Sequence, residues 1–299
     1  MTQLLLFNVT NGLIIGAFYV LMALGLSLIL NLSGIINFAH GGFLALGGYI
    51  AYTLTTSVVP HLGIPKSEGF WVALAVAPLL TAALGIVIER FLIRRLYGRD
   101  PLYSLLLTFG LAFIFQDVTR FTWGAQGLPV SVPTYLAQPL SLDFFFLTGY
   151  RVFMVGTVAV AVALLFVLLR YTRVGIRIRA GTLDLDTVAA LGVNVRRLRT
   201  INFAAGIYLA GLSGVLAGGQ LGLDPTMGDG LLMPSFIAII VGGVGSLTGT
   251  LLGGLLIGVA SGVTSVFFPS ASEAVIYIMM AAVLLVRPRG LLGEEGLLS

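Results

Sequence analysis

Ser213, in Gly211-Leu212-Ser213-Gly214, is the residue of this 299-residue chain that most resembles a nucleophile. A serine attacks only when a general base stands within hydrogen-bond reach. The two histidines, His40 and His61, lie far upstream, and no second motif supplies a base. No enzymatic activity is expected. The absence of cysteine excludes disulfides and thiol chemistry, and two histidines are too few for a histidine metal cluster. No glycine-rich loop followed by Lys-Ser/Thr occurs, so no P-loop and no bound cofactor is expected.

A second cluster is polar rather than catalytic. Asn37, Phe38, His40, Gly41 and Gly42 place two polar side chains and two glycines beside a long apolar run. Unpaired polar groups in lipid are costly, so Asn37 and His40 should face protein or a water-filled cavity. The segment is either a broken helix lining a transport path or a hydrogen-bonded structural turn. Other charges read as solvated. Asp117 should cap or pair with Arg120, Glu273 should be exposed, and Asp224 and Asp229 fall in an external loop. An ion-coupled secondary transporter would need a buried coupling charge, and no acid reads as one.

The most informative stretch runs from Arg170 to Arg199. It holds Arg170, Arg173, Arg177, Arg179, Arg196, Arg197 and Arg199 around Leu183–Leu191, a segment with helical character. Asp184 and Asp186 sit in its first turn, where acids favour the positive helix end. Val188, Ala189, Ala190 and Leu191 are small or apolar, and Gly192 can supply a left-handed cap. The flanking arginines can hold lipid phosphates. The positive-inside rule explains the arginines but not the apolar core between them. The pattern predicts a knob-like cytoplasmic helix that docks a soluble partner.

These residues must be held by a membrane scaffold. Hydrophobic residues make up 58% and charged residues 9%, against roughly 25% charged in soluble domains. No Asp, Glu, Lys or Arg precedes Lys66, and the N-terminus lacks the basic region of a cleaved signal peptide. The net charge of +4 is not a nucleic-acid signature, because the arginines gather at span ends and in one loop. The chain reads as an all-α polytopic membrane protein. Candidate spans are Gly12–Leu30, Phe38–Val58, Phe70–Ile88, Leu102–Phe121, Tyr150–Leu169, Ile201–Gln220, two within Leu231–Phe268, and Ala274–Val286. Arg90, Arg94, Arg95 and Arg99, the loop 170–199, and Arg287 and Arg289 should be cytoplasmic. Eight or nine crossings satisfy this, with the side of the N-terminus open. Gly245, Gly249 and Gly253, then Gly254, Gly258 and Gly262, and the pair Gly214 and Gly218 recur at spacings that let helices approach closely; a subunit contact or moving gate is the minority reading.

Several segments together resemble one family over nearly the whole length. They are Gly12-Leu-Ile-Ile-Gly-Ala-Phe-Tyr-Val-Leu-Met-Ala-Leu-Gly-Leu-Ser27, Gly34-Ile-Ile-Asn-Phe-Ala-His-Gly-Gly42, Ala189-Ala-Leu-Gly-Val-Asn194 and Ile239-Ile-Val-Gly-Gly-Val-Gly-Ser-Leu-Thr-Gly249. The chain resembles the permease subunits of branched-chain amino-acid ABC importers, of the LivH type. That resemblance implies a single permease domain, 1–299, in the inner membrane, with Thr182–Asn194 as the coupling helix. It also implies a second homologous permease, with hetero-pairing expected. Two ATPase subunits consume the ATP, and a periplasmic or lipid-anchored binding protein delivers substrate.

Overall fold

A computed structural model describes residues 2–142 and 145–293. The helices in chain order are α1 (Thr2–Ser33), α2 (His40–Thr53), α3 (Lys66–Phe91), α4 (Pro101–Trp123), α5 (Gly149–Tyr171), α6 (Arg173–Leu183) and α7 (Leu185–Ala190). They continue with α8 (Val195–Leu221), α9 (Met227–Gly242), α10 (Leu247–Phe267) and α11 (Ala274–Val286). A small antiparallel hairpin, β1 (Pro139–Leu142) and β2 (Phe145–Thr148), lies between α4 and α5. The class is the polytopic all-α one expected from the sequence. Seven helical segments are long and apolar enough to cross a membrane, counting α2 through its extension to His61. Helices α9 and α11 are apolar but shorter, with 16 and 13 residues. The region Leu231–Phe268 is thus divided between α9 and α10 by a turn at 243–246.

Helix α1 packs on α8, α9 and α10, which is why it is apolar all round. Its partners approach through glycine. A Cβ built on Gly258 would lie 2.3 Å from the Gly12 carbonyl oxygen, and one on Gly262 would lie 2.3 Å from that of Asn8. Side chains larger than hydrogen would force the two helices apart. The same holds between α2 and α8, where a Cβ on Gly214 would meet the Leu44 carbonyl oxygen at 1.9 Å. The recurrent glycines therefore serve packing inside the chain. Gly245 is a correction to the expected Gly245–Gly249–Gly253 face. It sits with φ +95° in the turn before α10, whose start Ser246 caps by accepting from the Gly249 N–H at 3.0 Å. Gly249 and Gly253 do face α9, against Gly242 and the Ala238 carbonyl.

The packing also fixes orientation. Ser265, near the end of α10, donates to Asn8 near the start of α1, so the two helices run antiparallel. Leu128 and Leu223 exchange backbone hydrogen bonds at 2.9 Å, which joins the loops after α4 and α8 on one side. With the arginine-bearing ends cytoplasmic, those loops and the start of α1 are external. Two crossings then precede α3, which is the branch the sequence left open.

Candidate functional site at the cytoplasmic loop

Four local caps shape the stretch between α5 and α8. The Thr172 hydroxyl accepts from the Gly175 N–H at 3.0 Å and turns the chain from α5 into α6. A Cβ on Gly175 would lie 2.3 Å from the Leu168 carbonyl oxygen, so only glycine lets α6 fold back this tightly on α5. Asp184 ends α6 and caps α7, accepting from the Asp186 N–H at 3.0 Å and the Thr187 N–H at 2.9 Å, with the Thr187 hydroxyl as a third donor. These donors, the Thr187 hydroxyl foremost, hold its carboxyl below the ordinary 3.8. Gly192, at φ +83°, closes α7. The Asn194 side chain then accepts from the Arg197 N–H at 3.0 Å and opens α8.

The helix expected over Leu183–Leu191 is thus α7, one residue inside each cap, and the arginine-bearing stretch before it is itself a helix, α6. Helix α6 exposes Arg173, Arg177 and Arg179 and buries Gly175, Ile178 and Gly181. On α7 and at its two ends the side chains divide. Asp184, Asp186, Ala189, Ala190 and Gly192 are exposed, and Leu183 and Leu191 are 79% and 78% exposed. Val188 is not available to a partner. It is 5% exposed and joins the same core as Ile178 and Leu198. Its side chain anchors α7 to the core, and the exposed apolar surface around the helix is Leu183, Ala189, Ala190 and Leu191.

Two features adjoin the knob. A cleft of about 510 Å³ separates α6 from the end of α1 and the turn before α10, with Arg170, Arg179, Asn31 and Ser246 in its lining. At the base of α8 a buried charge ties α8 to α3. The Glu89 carboxylate, 0% exposed, accepts from Arg94 at 2.9 and 3.2 Å, from Tyr97 at 3.2 Å and from Thr200 at 2.9 Å. Sequence reasoning passed over Glu89. The available signal was a lone acid immediately before the Arg90–Arg99 basic cluster. Its four donors mark it as a structural tie between helices.

The Asn37–Gly42 segment takes the form of the structural turn. Its backbone is a hydrogen-bonded turn between α1 and α2: the Phe38 N–H donates to the Thr108 hydroxyl at 3.1 Å, and that hydroxyl reaches the Ile36 carbonyl at 3.1 Å. Phe38 packs on Phe109 and Phe236, Gly41 on Gly228, and Gly42 under Phe115. Asn37 and His40 are fully buried; the Asn37 amide has no hydrogen-bond partner among the described residues, and the His40 ring packs against Gly25 of α1. The remaining acids lie at the surface as read from the sequence, except that Asp229 stands in the first turn of α9 and not in a loop. Asp117 is 3.9 Å from Arg120, and Glu273, Asp224 and Asp229 are exposed, Asp229 accepting from Gln116 at 2.7 Å. Ser213 is buried, and its hydroxyl makes no hydrogen bond among the described residues.

Comparison with known proteins places this architecture. Residues 8–284 match the profile of the family described as "Branched-chain amino acid transport system / permease component". The chain is 30% identical to the high-affinity branched-chain amino acid transport system permease protein LivH of Salmonella typhimurium, over 95% of this chain and 94% of that protein. It is 30% identical to the permease protein BraD of Pseudomonas aeruginosa, over 96% and 95%. It is also 28% identical to the Escherichia coli permease protein LivM, over 92% of this chain and 67% of that one. This chain therefore belongs to the branched-chain amino acid transport system permease component family.

Proposed function

We propose that the chain is one permease subunit of an ATP-driven importer for branched-chain or other hydrophobic amino acids, in a bacterial or archaeal cytoplasmic membrane. It forms half of the translocation path and performs no chemistry. The observation that carries the reading is the capped α7, flanked by Leu183 and Leu191, which the turns at its two ends present to the cytoplasm from an anchored base. An isolated soluble surface has no use for two leucines held out by a capped helix, whereas a partner groove does. In this reading two ATPase subunits dock there, bind and hydrolyse ATP, and bias the permease between outward and inward states. Similarity to both LivH and LivM supports a pair of different permeases. A binding protein delivers substrate from outside. Asn37, Phe38, His40, Gly41 and Gly42 line the path in one state, when α4 moves off the segment it now covers through Thr108 and Phe115.

The test is uptake in proteoliposomes holding this chain, a second permease, the ATPases and a substrate-loaded binding protein. ATP-dependent accumulation of leucine, isoleucine or valine is expected. Accumulation that ignores ATP but collapses with the ion gradient would replace this reading with ion-coupled secondary transport.

A further inference from the structure

On the cytoplasmic half of the molecule the ends of α3 and α8 leave a groove of about 520 Å³. Its lining is graded with depth. Arg90, Arg94, Arg196 and Arg197 stand at the cytoplasmic end, and Ile86, Ile201 and Ala204 stand toward the membrane. Among the described residues Glu89 is the one carboxylate within ion-pair distance of these arginines, and it pairs with Arg94. Arg90, Arg196 and Arg197 are exposed, and among the described residues no acid lies within ion-pair distance of them. The first turn of α8 adds its own partial positive charge at the same level.

The apolar side continues upward. Arg197, Ile201, Ala204, Ala205 and Tyr208 fall at helical spacing, and all reach the surface of α8. Ala205 and Tyr208 line a second cleft of about 620 Å³ between α3, α5 and α8, walled by Leu74, Val160 and Leu164. From Arg197 to Tyr208 is eleven residues of helix, or about 16 Å at 1.5 Å each. That is close to one leaflet of hydrocarbon, about 15 Å of a core of about 30 Å.

We propose that this groove binds one anionic phospholipid of the cytoplasmic leaflet. Its phosphate sits among Arg90, Arg196 and Arg197, and an acyl chain runs over Ile86, Ile201 and Ala204 toward Tyr208. A soluble anion would use the arginines but not the apolar track. An acidic protein surface would not match a groove whose upper half lies at membrane depth. Because the headgroup bridges α3 to the first turn of α8, bound lipid braces the base from which α7 projects.

The experiment is native mass spectrometry of the delipidated full-length chain, titrated with dioleoyl phosphatidylglycerol, dioleoyl phosphatidylcholine or glycerol 3-phosphate. One phosphatidylglycerol should bind saturably and more tightly than phosphatidylcholine. The variant Arg196→Gln/Arg197→Gln should weaken it about thirtyfold, from about fivefold per surface arginine, and leave phosphatidylcholine unchanged. Arg95→Gln/Arg99→Gln, outside the groove, should change it less than about twofold. Equal binding of the two lipids overturns the proposal. So does equal weakening by the control pair, which would mean diffuse attraction. Binding of glycerol 3-phosphate as tight as that of the lipid would make this a soluble-phosphate site and also overturns it. Should the double variant fail to fold, the wild-type lipid comparison and Arg90→Gln decide by the same criteria.

Discussion

Replacing Leu183 and Leu191 with alanine should uncouple the chain from its ATPase without disturbing its fold. Each leucine is nearly four-fifths exposed in the free chain, at 79% and 78%. Docking would remove most of that surface from water. Leucine to alanine deletes three carbon groups, at about 0.8 kcal/mol each when fully buried. Scaled by the exposure still available, each truncation costs about 2 kcal/mol of binding and the pair about 4, close to a thousandfold in Kd. Val188→Ala is the matched control. At 5% exposure Val188 has nothing left to bury on docking. Its truncation should lower stability by about 2 kcal/mol, from two lost carbon groups and the cavity they leave. Surface immobilisation of the permease, with ATPase titrated over it, gives Kd, and thermal unfolding in the same detergent gives Tm. The leucine pair should move Kd alone and Val188→Ala should move mainly Tm. Binding within about threefold of wild type in the leucine variant would refute the assignment of the docking face.

Three further outcomes follow from the packing. Glu89→Ala removes the acceptor of four hydrogen bonds and leaves Arg94 uncompensated; thermal unfolding should show a loss of about 3–5 kcal/mol, and Glu89→Gln a smaller one. Gly258→Ala forces a methyl to 2.3 Å from the Gly12 carbonyl and should cost about 1–3 kcal/mol, whereas Gly156→Ala on α5, with open space around it, should leave Tm unchanged or raise it. The Asp184 carboxyl is held below 3.8 by its donors, so its cap is at full strength above that value and fades only as pH falls through the lower folded-state value. ATPase binding should therefore show no Asp184-dependent change between about pH 5 and pH 8, and Asp184→Ala should weaken it across that range while Asp184→Asn, which also caps, should not.

Much of this was legible in the residues because the signals are local. Asp184 followed by Thr187, and Gly192 after an apolar run, are cap chemistry that needs no tertiary partner. Uncharged runs and arginine placement mark spans and sides for the same reason. What stayed hidden depended on neighbours distant in sequence. A six-residue helix is too short for its periodicity to say which side is inward, so Val188 read as part of the knob. Four arginines between positions 170 and 179 masked α6, although the Gly175, Ile178 and Gly181 spacing was its buried stripe. Gly245 shares the spacing of Gly249 and Gly253 but precedes the Ser246 cap, and a spacing cannot show where a helix begins. Glu89 reads as a surface acid until Thr200, from another helix, is placed against it. The contacts of Phe38 and Gly42 with α4 likewise depend on Thr108 and Phe115, some 70 residues away.

The central claim, that α7 is where an ATPase couples to this membrane domain, can be tested by cross-linking. The natural chain has no cysteine, so a single one introduced at Leu191 or Val188 reports one position. The Leu191→Cys chain, assembled with its transporter partners and labelled with a short thiol-directed photo-cross-linker, should form a product with the ATPase subunit that changes in yield when ATP is bound. The buried Val188→Cys should form none. An ATPase product from Val188→Cys, or none from Leu191→Cys in an assembly that still takes up substrate, would contradict the account.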